Sequence, residues 1–209
     1  MKNIINNTIA LVMMVMLNSC HDTQNKSSDL SAESKNMAKE FTNSKQENKD
    51  ACMMPIPPGD STKYISKQVK IAGNVEHPLT LTVDSLKKMK VETIENFNVI
   101  CSSGATMKTD KTCKGVLLKD ILEKAIIKQA NHKDRNFYIV ARATDGYKAT
   151  FSWAELFNNP TGENVYVLFE ENGKPIKEEG DIILICKNDI KTGPRHVYWL
   201  KSIEVNRVE

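Results

Sequence analysis

The run Phe137–Ala143, FYIVARA, constrains this 209-residue chain most. It is apolar on both faces of an extended segment. Such a segment has no side to turn to water, and only a central strand satisfies it. Arg142, near its end, is unusual in that setting and is either a binding residue or, more commonly for such a position, a satisfied ion-pair partner. Asp145-Gly146 follows as a hairpin signal, and Tyr147 to Phe151 returns alongside.

A central strand needs neighbours, and the sequence supplies them. Tyr64 to Ala72 predicts a first strand closed by Gly73-Asn74, and Leu79 to Thr82 a second. Thr82 is a predicted N-cap for a short helix reaching Leu86 and Met89, with Asp84 in its first turn. In Val91 to Cys101, residues Thr93, Phe97, Val99 and Cys101 fall on one face at period two. A polar loop is expected between Cys101 and Cys113. Leu118, Ile121, Leu122, Ala125 and Ile126 keep helical spacing, which leaves Lys119, Glu123 and Lys124 to water. Ser152-Trp-Ala-Glu155 is a capping box that opens another helix. Val165 to Phe169 and Ile182 to Cys186 read as buried strands, with an Asn172-Gly173 turn between them. Lys187 to Pro194 reads as a polar loop, and Arg195 to Val205 as a long closing strand. Strands outnumber helices and do not alternate with them strictly. The expected class is α+β, a β-rich mixed sheet with short helices.

The first third of the chain has a different character. Thr8 to Leu17 is an apolar run too short to span a bilayer, which takes ~20 residues, but it suits the core of a signal peptide. It ends in Leu17-Asn18-Ser19-Cys20, which resembles the lipobox of bacterial lipoproteins. The resemblance implies cleavage after residue 19, lipid on Cys20, and an exported lipoprotein on the periplasmic or cell-surface side of a bacterial membrane. Residues 20–62 are rich in Ser, Asn, Lys and Glu and too poor in apolar side chains to offset the entropy of ordering. They read as a tether holding a domain, residues 63–209, off the membrane. Cys52 lies near its end with its role open.

The formal net charge is +3. That balance, without a basic stripe interleaved with aromatics, argues against nucleic acid as a partner. P-loop, GxGxxG, HExxH and CxxC motifs are absent from the sequence.

Cys101, in the run Cys101-Ser102-Ser103-Gly104, is the leading chemical candidate. Three readings stand open for it: a metal ligand, half of a disulfide (most simply with Cys113), or an inert core thiol. Lys108, Lys111 and Lys114 read by default as a solvated loop.

Several segments in order resemble the molybdopterin-binding domain of the sulfite oxidase family. They are Pro78 to Met89, Cys101 to Gly104, Lys114 to Leu122, Asp145 to Tyr147, Asn172 to Ile176 and Gly193 to Val205. The resemblance implies that family's fold, a molybdopterin cofactor, and a molybdenum atom held by one protein thiolate, at Cys101. Ser102, Ser103 and Gly104 would shape the approach, while Arg142, Tyr147, Arg195 and His196 would hold the cofactor. A redox partner protein is implied as well. Ala105-Thr106-Met107 departs from the aromatic or Asn-Arg-Arg residues usual in catalytic members. The alternative is a cofactor-free binding or interaction module on the same fold, with Cys101 disulfide-bonded or inert.

Overall fold

A computed structural model describes residues 61–209. The expected signal peptide, the lipidated Cys20, the tether and Cys52 lie outside the described residues. Among the described residues, no helix is long and apolar enough to cross a membrane.

Ten strands form two five-stranded sheets. The first has the order β2-β1-β10-β5-β6, built from β1 (Gln68–Gly73), β2 (Leu79–Thr82), β5 (Phe137–Ala143), β6 (Lys148–Ser152) and β10 (Leu200–Arg207). The β1–β10 pair is parallel and the other pairs antiparallel, so this sheet is mixed. The second is antiparallel: β3 (Val91–Ile100), β4 (Thr106–Leu117), β7 (Val165–Glu171) and β8 (Lys174–Pro175), with β9 (Ile183–Cys186) also on β7.

The main core lies between the sheets. Ile71, Ile139 and Ile203 from the first meet Val116, Val167 and Leu184 from the second. Helix α2 (Leu118–Ala125) adds Leu118, Ile121 and Leu122, all fully buried, each worth about 1.5–3 kcal/mol over exposure. A second core covers the far face of the second sheet and contains Phe97, Leu117, Leu168 and Ile185.

Local signals explain the helix ends. Thr82 Oγ1 accepts from Ser85 N and caps α1 (Val83–Leu86), which stops before Met89. Ser152 and Glu155 close both bonds of the capping box on α3 (Trp153–Phe157). Asn172 and Gly173 both take positive φ, 50° and 73°, as the tight β7–β8 hairpin demands.

Three expectations need correction. Most of the expected polar loop before Cys113 is strand, because Thr106–Leu117 pairs with β3 along its length. Thr93 does not join the buried face; Asn96, at φ 54°, bulges the strand so that Ile94 and Phe97 are buried instead. The final strand starts at Leu200 rather than Arg195. Gly193–Arg195 is a short 3-10 turn, and Trp199 at φ 46° breaks the extension.

Candidate functional site

Cys101 stands where β3 ends. Its backbone is fixed on both sides. Cys101 N donates to Ala105 O at 2.9 Å, and Gly104 N donates back to Cys101 O at 2.9 Å, which closes a tight turn over Ser102 and Ser103. Gly104 takes φ 90°, and no heavy atom lies within 4 Å of where its Cβ would stand, so the turn is open on that side.

A strap crosses the other side. Thr192 Oγ1 donates to Asn98 O at 2.7 Å and accepts from Ile100 N at 2.9 Å. Lys191 Nζ donates to Ser102 O. Gly193 then passes so close that a Cβ would meet Ile100 O at 2.9 Å and Cys101 Cα at 3.4 Å. Tyr147 joins this assembly from the Asp145-Gly146 turn, its hydroxyl donating to Pro194 O at 2.6 Å. Burial raises the phenol's pKa, so it remains a donor.

The structure therefore gathers Cys101, Ser102, Ser103, Gly104 and Tyr147 around one strap. The remaining sequence candidates go elsewhere. Arg142 lies on the outer face of the first sheet, where its Nε donates to Glu204 Oε2 at 2.7 Å. That pairing explains its place in the central strand. Arg195 lies on the inner side. Its guanidinium stands 4.5 Å from the ring centre of the buried Phe151 and binds Asp189 and, at 2.9 Å, Glu155. Asp189 leads in holding its pKa above the ordinary arginine value. The two arginines thus stand on opposite faces of the first sheet, each with an acidic partner.

His196 points into the second core. It packs edge-on to Tyr198 at 4.5 Å and to Phe97 at 6.0 Å. Full burial, with Lys111 and Lys108 nearby, lowers its pKa to about 3, so the ring is neutral. Neither ring nitrogen has a hydrogen-bond partner among the described residues.

Sequence reasoning missed the cluster around it. Lys111 is only 5% exposed and pairs with Glu171 and, at 3.7 Å, Glu179. Lys108 also binds Glu179 and stands 5.9 Å from the Tyr198 ring centre. Two lysines face two glutamates, so the cluster is neutral in sum. A surface pocket of about 570 Å³ opens beside it, lined in part by Lys108, Glu171, Ile176 and Glu179. The signal lay in the register: Lys111 is opposite Phe97 and therefore shares its buried face.

The cysteines divide sharply. Cys101 is disulfide-bonded and 7% exposed. Cys113 and Cys186 are free and buried, so the expected simplest pairing of Cys101 with Cys113 does not form. Burial raises the Cys113 thiol to about 11 and the Cys186 thiol to about 12. Among the described residues, no group of three or more His, Cys, Asp or Glu side chains is arranged to hold a metal ion.

Two sheets with short helices, and a cysteine turn at the end of a strand, define a sulfite-oxidase-like molybdopterin-binding fold. The chain belongs to the oxidoreductase molybdopterin binding domain family, whose model matches residues 54–209. It is similar in fold to the sulfane dehydrogenase SoxCD from Paracoccus pantotrophus, with a TM-score of 0.53 and 19% identity over 69% of this chain. The chain spans 40% of the length of that relative's chain. No curated protein matches it.

The cofactor of the family is a molybdopterin. Cys101 Sγ would suit its metal only as a thiolate, since a soft anionic sulfur suits the metal and a disulfide sulfur does not, and in this structure Cys101 is disulfide-bonded. The open side of the Gly104 turn fits the approach of a bulky group. Arg142 does not fit as a phosphate ligand here, because it faces away across the sheet, and the Arg195 fork is already filled.

Proposed function

We propose that this chain is an exported, membrane-tethered, molybdopterin-dependent oxidoreductase domain, with the Cys101 thiolate as the protein's ligand to molybdenum. The observation that supports it is the construction of the Cys101 turn. The sulfur is carried on a backbone fixed by the Ala105 and Thr192 bonds and by the close passage of Gly193. A metal ligand needs that kind of preset position.

Each residue then has a part. Cys101 supplies the soft donor. Ser102, Ser103 and Gly104 line the open approach. Tyr147 holds the strap by its bond to Pro194 O, so it acts on the site through the backbone. Arg195 steadies the strap's far end through Asp189 and Glu155. When bound, the cofactor supplies two-electron oxygen-atom chemistry at its metal, while the protein contributes placement and exclusion of water. Lipid on Cys20 would anchor the domain by the burial of acyl chains, at ~0.8 kcal/mol per CH₂, and a redox partner protein would exchange electrons with it.

Metal analysis tests the reading. The chain is produced with export in a host that makes the cofactor, and its molybdenum content is compared with that of Cys101→Ser. Stoichiometric molybdenum lost in the variant is the expected result. Equal molybdenum in both would refute Cys101 as the ligand.

A further inference from the structure

We propose that the outer face of the first sheet is a docking surface for anionic lipid headgroups. The choice of a membrane as occupant rests on the reading of the chain as membrane-tethered. The face itself is built wholly from described residues.

Across β1, β10, β5 and β6, Lys70, Ser202, Arg142 and Lys148 are register partners in turn. With strands ~4.8 Å apart, the three cations share a row roughly 14 Å long. Arg142 and Lys148 are directly opposed, and like charges in that position repel. The alternate residues of these strands and of β2 bring one carboxylate to the face, Glu204, and it is bonded to Arg142. Lys70 and Lys148 are exposed, and neither has an ion-pair partner among the described residues. A chain whose formal charge is only +3 thus sets two unpaired cations and an arginine in line on one sheet.

A solvated sheet face is ordinary in itself. This one differs in its charge and in Tyr138, which is 40% exposed on the same face. A tyrosine suits the headgroup level, because it has an apolar body and a polar tip. A flat cationic face is complementary to a flat anionic one, and a lipid surface is flat. The described residues also begin at the cationic end of this sheet. Thr144, which follows β5, donates from Oγ1 to Tyr64 O, and the Tyr64 ring stands 5.6 Å from that of Trp199. The row therefore lies close to where the proposed tether joins. Docking lays the first sheet along the membrane and turns the far face of the second sheet away from it.

The test uses the full chain carrying Cys20→Ser, so that no acyl chain contributes. It is mixed with vesicles of equal parts phosphatidylglycerol and phosphatidylcholine, and with vesicles of phosphatidylcholine alone. Bound protein is measured by sedimentation. The apolar run at Thr8 to Leu17 is common to all samples and cancels in the differences. Tighter binding to the anionic vesicles, weakened by salt, is expected. It should fall roughly tenfold or more in Lys70→Gln/Lys148→Gln, since each basic residue near an anionic surface contributes about fivefold. Lys174→Gln/Lys177→Gln removes the same charge from the rim of the second sheet's pocket and should leave binding within about twofold of the parent. Equal binding to both vesicles, or equal losses in the two double variants, overturns the proposal. Retention on heparin without a gain on anionic vesicles assigns the row to a soluble polyanion and overturns it as well. The mass of the parent chain produced with export reads the tether separately. No acyl mass on Cys20 overturns the tether, while the vesicle comparison alone decides the face.

Discussion

Replacing His196 with leucine should leave the protein about as stable at neutral pH and more stable than the parent in acid. The ring is fully buried, and its pKa is lowered from 6.5 to about 3 by burial first and by Lys111 and Lys108 second. Glu179 stands 3.7 Å from Nε2 and favours the imidazolium, but it is already paired with Lys108. Tyr198 and Phe97 present rings. In the unfolded chain the imidazole protonates below its ordinary value; in the folded chain it stays neutral until about 3. Between those limits the unfolded state binds the extra proton, so stability falls as pH falls, and above 6.5 the effect vanishes. The loss amounts to about 2 kcal/mol at about pH 5 and about 3 kcal/mol at about pH 4. Because neither ring nitrogen has a partner among the described residues, leucine leaves no donor or acceptor newly stranded, and the cost at neutral pH should stay within about 1 kcal/mol. Urea unfolding of both proteins at neutral and acid pH isolates the effect, since the carboxylates common to both cancel in the difference. An acid limb in His196→Leu that superimposes on the parent's would refute the assignment of a buried, neutral imidazole.

Lys111→Met should destabilise the domain by about 3–5 kcal/mol in urea unfolding, because Glu171 and Glu179 would share a half-buried site with Lys108 as the remaining close cation. A loss below about 1 kcal/mol would show the pair to be solvated. Ser152→Ala should cost about 1 kcal/mol, since it removes one of the two capping-box bonds on α3; thermal unfolding unchanged from the parent would count against the cap. Cys113 and Cys186 should resist iodoacetamide in the native protein and react only in denaturant, as burial holds both thiols protonated. Native labelling of either, read by peptide mapping, would contradict their placement in the cores.

The strands with strong local signals were legible. Phe137–Ala143 is an interior strand, between β10 and β6, as expected, but its two faces are not both covered: Tyr138 is 40% exposed and Arg142 half-buried on the outer one. The Ser152 capping box and the Asn172-Gly173 turn were also read correctly, since each depends on residues close in sequence. Thr106 to Thr112 was not legible. Its lysines, threonines and aspartate resemble a loop, and only pairing with β3 makes it a strand. That error hid Lys111, whose burial follows from lying opposite Phe97. In the candidate site, the position of Cys101 at a strand end was legible, as was an ion pair as one reading of Arg142, but the partners of the arginines were not. Glu204 is sixty-two residues from Arg142, and no local pattern announces such a pair. The Thr192 strap was hidden for the same reason, since its contacts with Asn98 and Ile100 span more than ninety residues.

The parallel pairing of β1 with β10 has a consequence for how the domain assembles. β10 is the last of the ten strands, yet it sits in the middle of the first sheet, between β1 and β5. Without Leu200–Arg207, β1–β2 and β5–β6 are two separate hairpins with no strand in common, and an isolated hairpin is marginal in water. Lys70 must find Ser202 across most of the domain, and loop closure on that scale precedes any reward. The first sheet should therefore complete late and all at once. Until β10 docks, the residues that form the inner faces of both hairpins, Ile71 and Ile139 among them, have no covered sheet to join. A lesion in this one strand would then resemble the loss of the whole sheet more than a local defect.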